Sequence, residues 1–307
     1  MKGVILAAGK GTRLYPVTLH IPKPILPIAN KMTLEYAFDQ LKKIDITDIC
    51  VVVGESEKQM KAQLGDGSDF GVKLSYVRQI EQKGLAHALG FAKDFVGQDD
   101  FVLYLGDAIY GSNFIEYADK FKKSGCANLN LVKPVEDPSR FGVANVEGDR
   151  IVKLVEKPKK PESNLAMAGL YFFNSEIWKI LPDLQPSGRG EYEITDAIQM
   201  LIDRGHTVLA GIYQDAWFDT GTLDSFLETS RFLIQNDQLI GQGAECNGEI
   251  GENVVIGEQS YVSCDHIENS VILPGSKVIV KGDICRSIIG GCVNTPKSIL
   301  NEIIYND

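Results

Sequence analysis

Histidine is scarce: His20, His87, His206 and His266 are the four in 307 residues, and none sits in a motif with an acidic or cysteine partner. The six cysteines, Cys50, Cys126, Cys246, Cys264, Cys285 and Cys292, form no Cys-x-x-Cys pair. That spacing excludes a structural zinc site and points to a reducing, cytoplasmic setting. No run approaches the roughly 18 apolar residues that a membrane-spanning helix needs. The apolar run 4–8 is too short for a signal-peptide core and gives way at once to Gly9, Lys10 and Arg13. Cations are also in deficit, 31 Lys and Arg against 41 Asp and Glu. The summed field therefore repels nucleic acid polymers and anionic membranes, and a phosphate-bearing ligand needs a local cationic site. Gly-x-Ser-x-Gly is missing as well, so nothing marks a serine nucleophile.

What is present begins in the first 27 residues. A short apolar run ending at glycine reads as a buried parallel strand followed by a loop. Gly9 and Gly11 allow the backbone to curl and to present consecutive N–H groups to an anion. Lys10, Arg13 and Lys23 add three positive charges to one short segment, a combination that suggests a phosphate cradle. It is neither of two familiar phosphate loops. The dinucleotide pattern needs a third glycine where Leu14 stands, and the P-loop string never occurs.

Further along, apolar runs alternate with segments of helical spacing. Helices are expected over 33–44, 57–64 and 85–95, and strands over 48–54, 72–79 and 101–105. That alternation predicts an α/β fold with a doubly wound, mostly parallel, Rossmann-like sheet. From residue 127 the expected strands 129–133, 142–146 and 151–155, the last two joined by a turn at 147–150, suggest antiparallel additions. Strand 169–173 should return to the sheet centre. A helix over 192–204 is stopped by Gly205, strand 208–213 follows, and a helix over 223–234 closes the first domain, residues 1–236.

Beyond residue 237 the texture turns to short glycine-rich units. Ile250, Ile256 and Val262 are spaced by six, as are Ile272, Val278 and Ile284, with a break in register between the two sets. A six-residue period with one inward aliphatic per unit resembles the left-handed β-helix of hexapeptide-repeat proteins, here a short second domain, 237–307.

Asp107 and Asp219 stand at expected strand ends more than a hundred residues apart. A strand-end aspartate often serves a turn. Two at one sheet edge suit Mg²⁺, which takes few protein carboxylates beside substrate phosphate oxygens and water.

The strings Leu6-Ala-Ala-Gly-Lys-Gly-Thr-Arg-Leu-Tyr-Pro16 and Lys23-Pro-Ile-Leu-Pro-Ile28 resemble the signature of the sugar-1-phosphate nucleotidyltransferases. The likeness is closest to the long-form glucose-1-phosphate thymidylyltransferases and runs over nearly the whole chain. It implies attack by glucose-1-phosphate on the α-phosphorus of dTTP or UTP with Mg²⁺, from small-molecule substrates and in a homo-oligomer. Leu6, Gly9, Gly11, Thr12, Arg13 and Asp107 would meet the nucleotide, with Arg13 and Lys23 neutralising its phosphates. Gln79 and Gly84, in Gln79-Ile-Glu-Gln-Lys-Gly-Leu-Ala-His-Ala88, match the pyrimidine-reading segment, and His87 there reads as a helix-surface residue. Gly142, Glu156, Lys157, Met167 and Arg189 match the sugar-phosphate pocket, and Asp107 and Asp219 the metal ligands. Ala108 departs from the family's frequent Asn after the first aspartate. An N-acetylglucosamine-1-phosphate substrate, or a non-catalytic subunit that binds sugar nucleotides, are the alternatives.

Overall fold

The structure, a computed structural model, describes residues 1–306. Among the described residues the alternating pattern builds a nine-stranded sheet. Its strands are β1 (Lys2–Ala7), β2 (Asp48–Val53), β3 (Lys73–Arg78), β4 (Phe101–Leu105), β5 (Asn128–Pro134), β6 (Gly142–Glu147), β7 (Arg150–Glu156), β8 (Leu165–Phe173) and β9 (Val208–Ile212). They lie in the order β3-β2-β1-β4-β8-β5-β9-β7-β6.

The first four pair in parallel. Val4, Ile5, Val51, Val52 and Leu103 are fully buried there, as expected of parallel strands covered on both faces. Because β2 and β3 lie to one side of β1 and β4 to the other, strand order reverses between β1 and β4. Ligands of open α/β sheets settle beyond the carboxyl ends of the strands at that reversal.

The antiparallel additions also form. β8 returns to the middle, antiparallel to both β4 and β5, and β6 and β7 make a hairpin. The helix expected over 85–95 is interrupted: Leu85–Gly90 ends at a poor helix former, and Lys93–Val96 restarts.

By compactness the described chain divides into two units. One comprises Met1–Gly9 with Ala37–Trp217, which holds the sheet. The other comprises Lys10–Tyr36 with Phe218 onward. The second unit therefore carries the cation-rich segment, helix Leu223–Leu233 and the glycine-rich tail.

In that tail, successive strands stack in parallel, each residue pairing with one 15–17 positions later. Among the described residues the inward aliphatics form three ladders. They run Ile256-Ile272-Ile289-Ile304, Cys246-Val262-Val278-Val293 and Ile250-Ile267-Ile284-Ile299. Most of these side chains are buried against one another. The six-residue spacing holds only locally: the inward residues Val262, Ile267 and Ile272 are five apart, so what reads as a break in register is a pair of shorter steps. One corner of each coil is turned by a residue with left-handed backbone, at Asn253, Asn269, Arg286 and Asn301. Asparagine accepts that conformation more readily than most residues.

Within this second unit the segment after Gly9 packs on the tail. Asn30 Nδ2 donates to Ile256 O at 3.2 Å, and His20 stacks on Tyr305 with centroids 4.1 Å apart. Among the described residues no helix is long and apolar enough to cross a membrane.

Candidate active site

At the reversal point the ends of β1 and β4 are tied together, since Gly106 N–H donates to Leu6 O at 2.9 Å. Asp107 follows directly, ahead of the short strand Ala108–Tyr110. Ala108 is buried, and its carbonyl accepts from the Tyr104 hydroxyl at 3.0 Å. Gly54 passes so close to Ala8 that a Cβ there would stand 2.7 Å from its carbonyl oxygen. A Cβ on Gly9 would meet nothing within 4 Å, so the chain itself makes no steric demand for glycine at that position.

The segment after β3 is pinned by backbone bonds to Tyr192. Tyr192 N–H donates to Lys83 O at 2.8 Å and Ala86 N–H to Tyr192 O at 3.0 Å. Gly84 has φ +101, and any Cβ would lie 2.5 Å from Tyr192 O, which excludes other residues there. Gln79 and Gly84 come together, with Gln79 Nε2 3.4 Å from Gly84 O. His87 is not simply a helix-surface residue: its Nδ1 lies 3.0 Å from Gln79 Nε2. Its ring meets Phe91 edge-on and lies over Tyr192. Burial, with help from the Lys83 cation, lowers its pKa, while Glu81 opposes.

A second cluster gathers the expected sugar-pocket residues. A Cβ on Gly142 would sit 2.5 Å from Thr195 Cγ2, 2.8 Å from Met167 Sδ and 3.3 Å from Glu156 Oε2. Glu156 Oε2 accepts from Thr195 Oγ1 at 2.7 Å, and its Oε1 takes the Arg189 guanidinium at 3.1 Å and faces Lys157 Nζ at 3.7 Å. Lys157 is held with left-handed backbone, φ 43. Arg189 is shared further with Glu193 at 2.8 Å and Glu191 at 3.7 Å. The Glu193 hydrogen bond holds the guanidinium pKa above its usual range. Burial and the charges of Glu193 and Glu156 push the Asp196 carboxyl up.

Sequence reasoning gave no role to Thr195 or to the buried Glu193. Their only sequence signal was proximity to Arg189 within the stretch 187–196.

The second unit brings together Gly11, Arg13, Lys23 and Asp219. Gly11 adopts φ +64, and its carbonyl accepts from Thr18 Oγ1 at 2.8 Å. The following turn, Thr12–Leu14, directs Arg13 outward, where it is exposed. A Cβ on Gly11 would lie 3.2 Å from Lys23 Cβ. Lys23 is 8% exposed, and its ammonium sits 3.7 Å from Asp219 Oδ1. Gly221 lets two opposite charges converge: a Cβ there would be 2.5 Å from Arg13 Nη2 and 2.8 Å from Asp219 Oδ1. Among the described residues no group of three or more His, Cys, Asp or Glu side chains forms a metal cage. A cation at Asp107 or Asp219 would therefore rest on few carboxylate oxygens with ligand oxygens or water, a donor set that fits a hard ion such as Mg²⁺.

Comparison with known proteins bears on this arrangement. The family described as Nucleotidyl transferase matches residues 2–236. The low-salt glycan biosynthesis nucleotidyltransferase Agl11 of Haloferax volcanii is 36% identical over 96% of this chain and 93% of its own. A glucose-1-phosphate thymidylyltransferase of Streptomyces griseus is 32% identical, covering 94% of this chain and 92% of its own. Among solved structures, a UDP-glucose pyrophosphorylase complexed with UDP-glucose superimposes with TM-score 0.70 at 27% identity, over 76% of this chain and 98% of that one.

Proposed function

The chain belongs to the nucleotidyl transferase family, and from that premise we propose that it moves a nucleotidyl group from dTTP or UTP to glucose-1-phosphate. A phosphate oxygen of the sugar phosphate attacks the α-phosphorus in line. The bond from that phosphorus to the bridging oxygen of the β-phosphate breaks, and pyrophosphate leaves. Such transfers rest on positioning and charge neutralisation, with no covalent help from a side chain.

The observation that carries this reading is the cluster around Gly142. A carboxylate, a guanidinium and an ammonium surround a stretch of backbone that lacks a Cβ, which suits a phosphorylated polyol. In this reading Glu156 accepts from hexose hydroxyls, Lys157 meets the sugar phosphate, and Met167 offers its backbone. Arg189 exchanges one of its carboxylates for phosphate. Leu6, Gly9, Gly11 and Thr12 contact the nucleotide, Gln79 and Gly84 its base, and Arg13 and Lys23 its phosphates. Asp107 and Asp219 would hold Mg²⁺, which when bound supplies charge stabilisation at the phosphate oxygens. Residues 1–236 form the catalytic region in this reading. The stacked coils beyond it are a short left-handed β-helix, and the chain works as a homo-oligomer.

The test is a panel of four nucleoside triphosphates against glucose-1-phosphate, N-acetylglucosamine-1-phosphate and galactose-1-phosphate, with Mg²⁺, read as pyrophosphate release. Glucose-1-phosphate with dTTP or UTP should turn over fastest, and silence from every pair would reject the enzymatic reading. Asp107→Asn and Asp219→Asn should each reduce kcat by a factor of about 10³ or more, since each removes part of several kcal/mol of charge stabilisation. Full turnover in both variants would remove these residues from the site.

A further inference from the structure

Gln79 is 5% exposed, and its side-chain NH₂ group has two hydrogens and two acceptors in reach. These are Gly84 O at 3.4 Å and His87 Nδ1 at 3.0 Å. Gly84 O is a carbonyl oxygen and can only accept. Turning the amide over would set oxygen against oxygen, so the NH₂ group belongs on that side. His87 must then accept at Nδ1 and carry its proton on Nε2. Among the described residues Gln79 Oε1 takes no hydrogen bond from the chain. It is left on the opposite side of the amide as an acceptor for something else.

We propose that His87 sets the base preference of the enzyme as a positioning residue, holding the Gln79 amide so that its carbonyl oxygen faces the nucleotide. An acceptor there selects uracil or thymine, which carry N–H at ring position 3. It rejects cytosine, which is of the same size but presents a lone pair at that position. This deepens the reading of Gln79 as the base contact and rests on it.

The surroundings keep His87 in the accepting form. Phe91 and Tyr192 pack on its ring. The charged groups that face it are Lys83 and Glu81, of which the lysine opposes protonation. The short run Leu85–Gly90 that carries His87 is anchored to Tyr192 through Ala86, which fixes the backbone from which the imidazole reaches the amide.

The test compares kcat/KM for UTP against CTP, and for dTTP against dCTP, in the wild type and four variants. His87→Glu supplies an acceptor only and should keep the wild-type ratio within about threefold. His87→Leu supplies nothing and should lower the ratio tenfold or more. His87→Lys supplies donors only, turns the amide over and should lower the ratio furthest, through KM more than kcat. Gln79→Ala separates the two layers. If it abolishes discrimination while His87→Leu and His87→Lys keep it, His87 has no part and the base contact stands. If Gln79→Ala leaves discrimination intact, the base contact itself falls. Nitrogen NMR of the wild-type His87 ring gives a check free of folding artefacts: protonation on Nε2 is expected, and a proton on Nδ1 would overturn the proposal.

Discussion

Glu156 serves two neighbours with its two oxygens, Thr195 on one and Arg189 on the other. That division fixes the carboxylate plane beside Gly142 before any ligand arrives, so less ordering remains to be done on binding. Thr195 is buried at 1% exposure, and Thr195→Val removes a hydrogen bond to a charged group with little change in volume. The expected loss is about 1.5–3 kcal/mol of sugar-phosphate binding, seen as a KM for glucose-1-phosphate raised at least tenfold with nucleotide KM unchanged. An unaltered sugar KM would assign Thr195 to folding alone.

At the scale of elements, the corner residues of the stacked coils show how local chemistry fixes a long-range pattern. Asn253, Asn269, Arg286 and Asn301 are 16, 17 and 15 residues apart, and each turns the same corner with positive φ. Asn269→Ala should cost about 1–2 kcal/mol, because alanine lacks the local compensation that makes left-handed backbone tolerable for asparagine. Asn269→Gly should be neutral, and denaturant unfolding of both variants measures the difference.

The sheet was largely legible, since short Val- and Ile-rich runs ending at glycine mark parallel strands whatever lies around them. The stacked coils were legible as repeats but not in their period. The eye follows six-residue spacing, whereas the fold requires only that each aliphatic land above its predecessor one coil earlier. The sites were legible piecewise. Lys23 and Asp219, or Glu156 and Thr195, are joined by folding across separations that no local spacing encodes. His87 stands on a helix and is not fully buried, but its contact with Gln79 was not legible, because helical position says which way a ring points and nothing of a glutamine outside the helix.

For the whole molecule, the second unit places the cation-rich segment and the stacked tail in one compact body. His20 on Tyr305 and Asn30 on Ile256 tie them together, and Arg286 with Asp224 at 2.7 Å ties the tail to helix Leu223–Leu233. Loosening the tail should therefore be felt where Arg13 and Lys23 sit. Ile284→Ala empties the middle of one ladder and should cost about 2–5 kcal/mol. Thermal unfolding should reveal the loss, and nucleotide KM should rise below the melting transition. Unchanged nucleotide kinetics in a destabilised variant would mean that the tail carries no such support.

The ladders also bear on how such a tail could grow. Each rung touches only the rungs above and below it, and one left-handed corner resets the path on every circuit. A block of about sixteen residues could be added or deleted between two such corners without disturbing the rungs on either side. The length of this stack thus changes only in whole circuits, and each one added or removed between Ile256 and Tyr305 would shift one of the two contacts the amino-terminal segment makes, Asn30 on Ile256 or His20 on Tyr305.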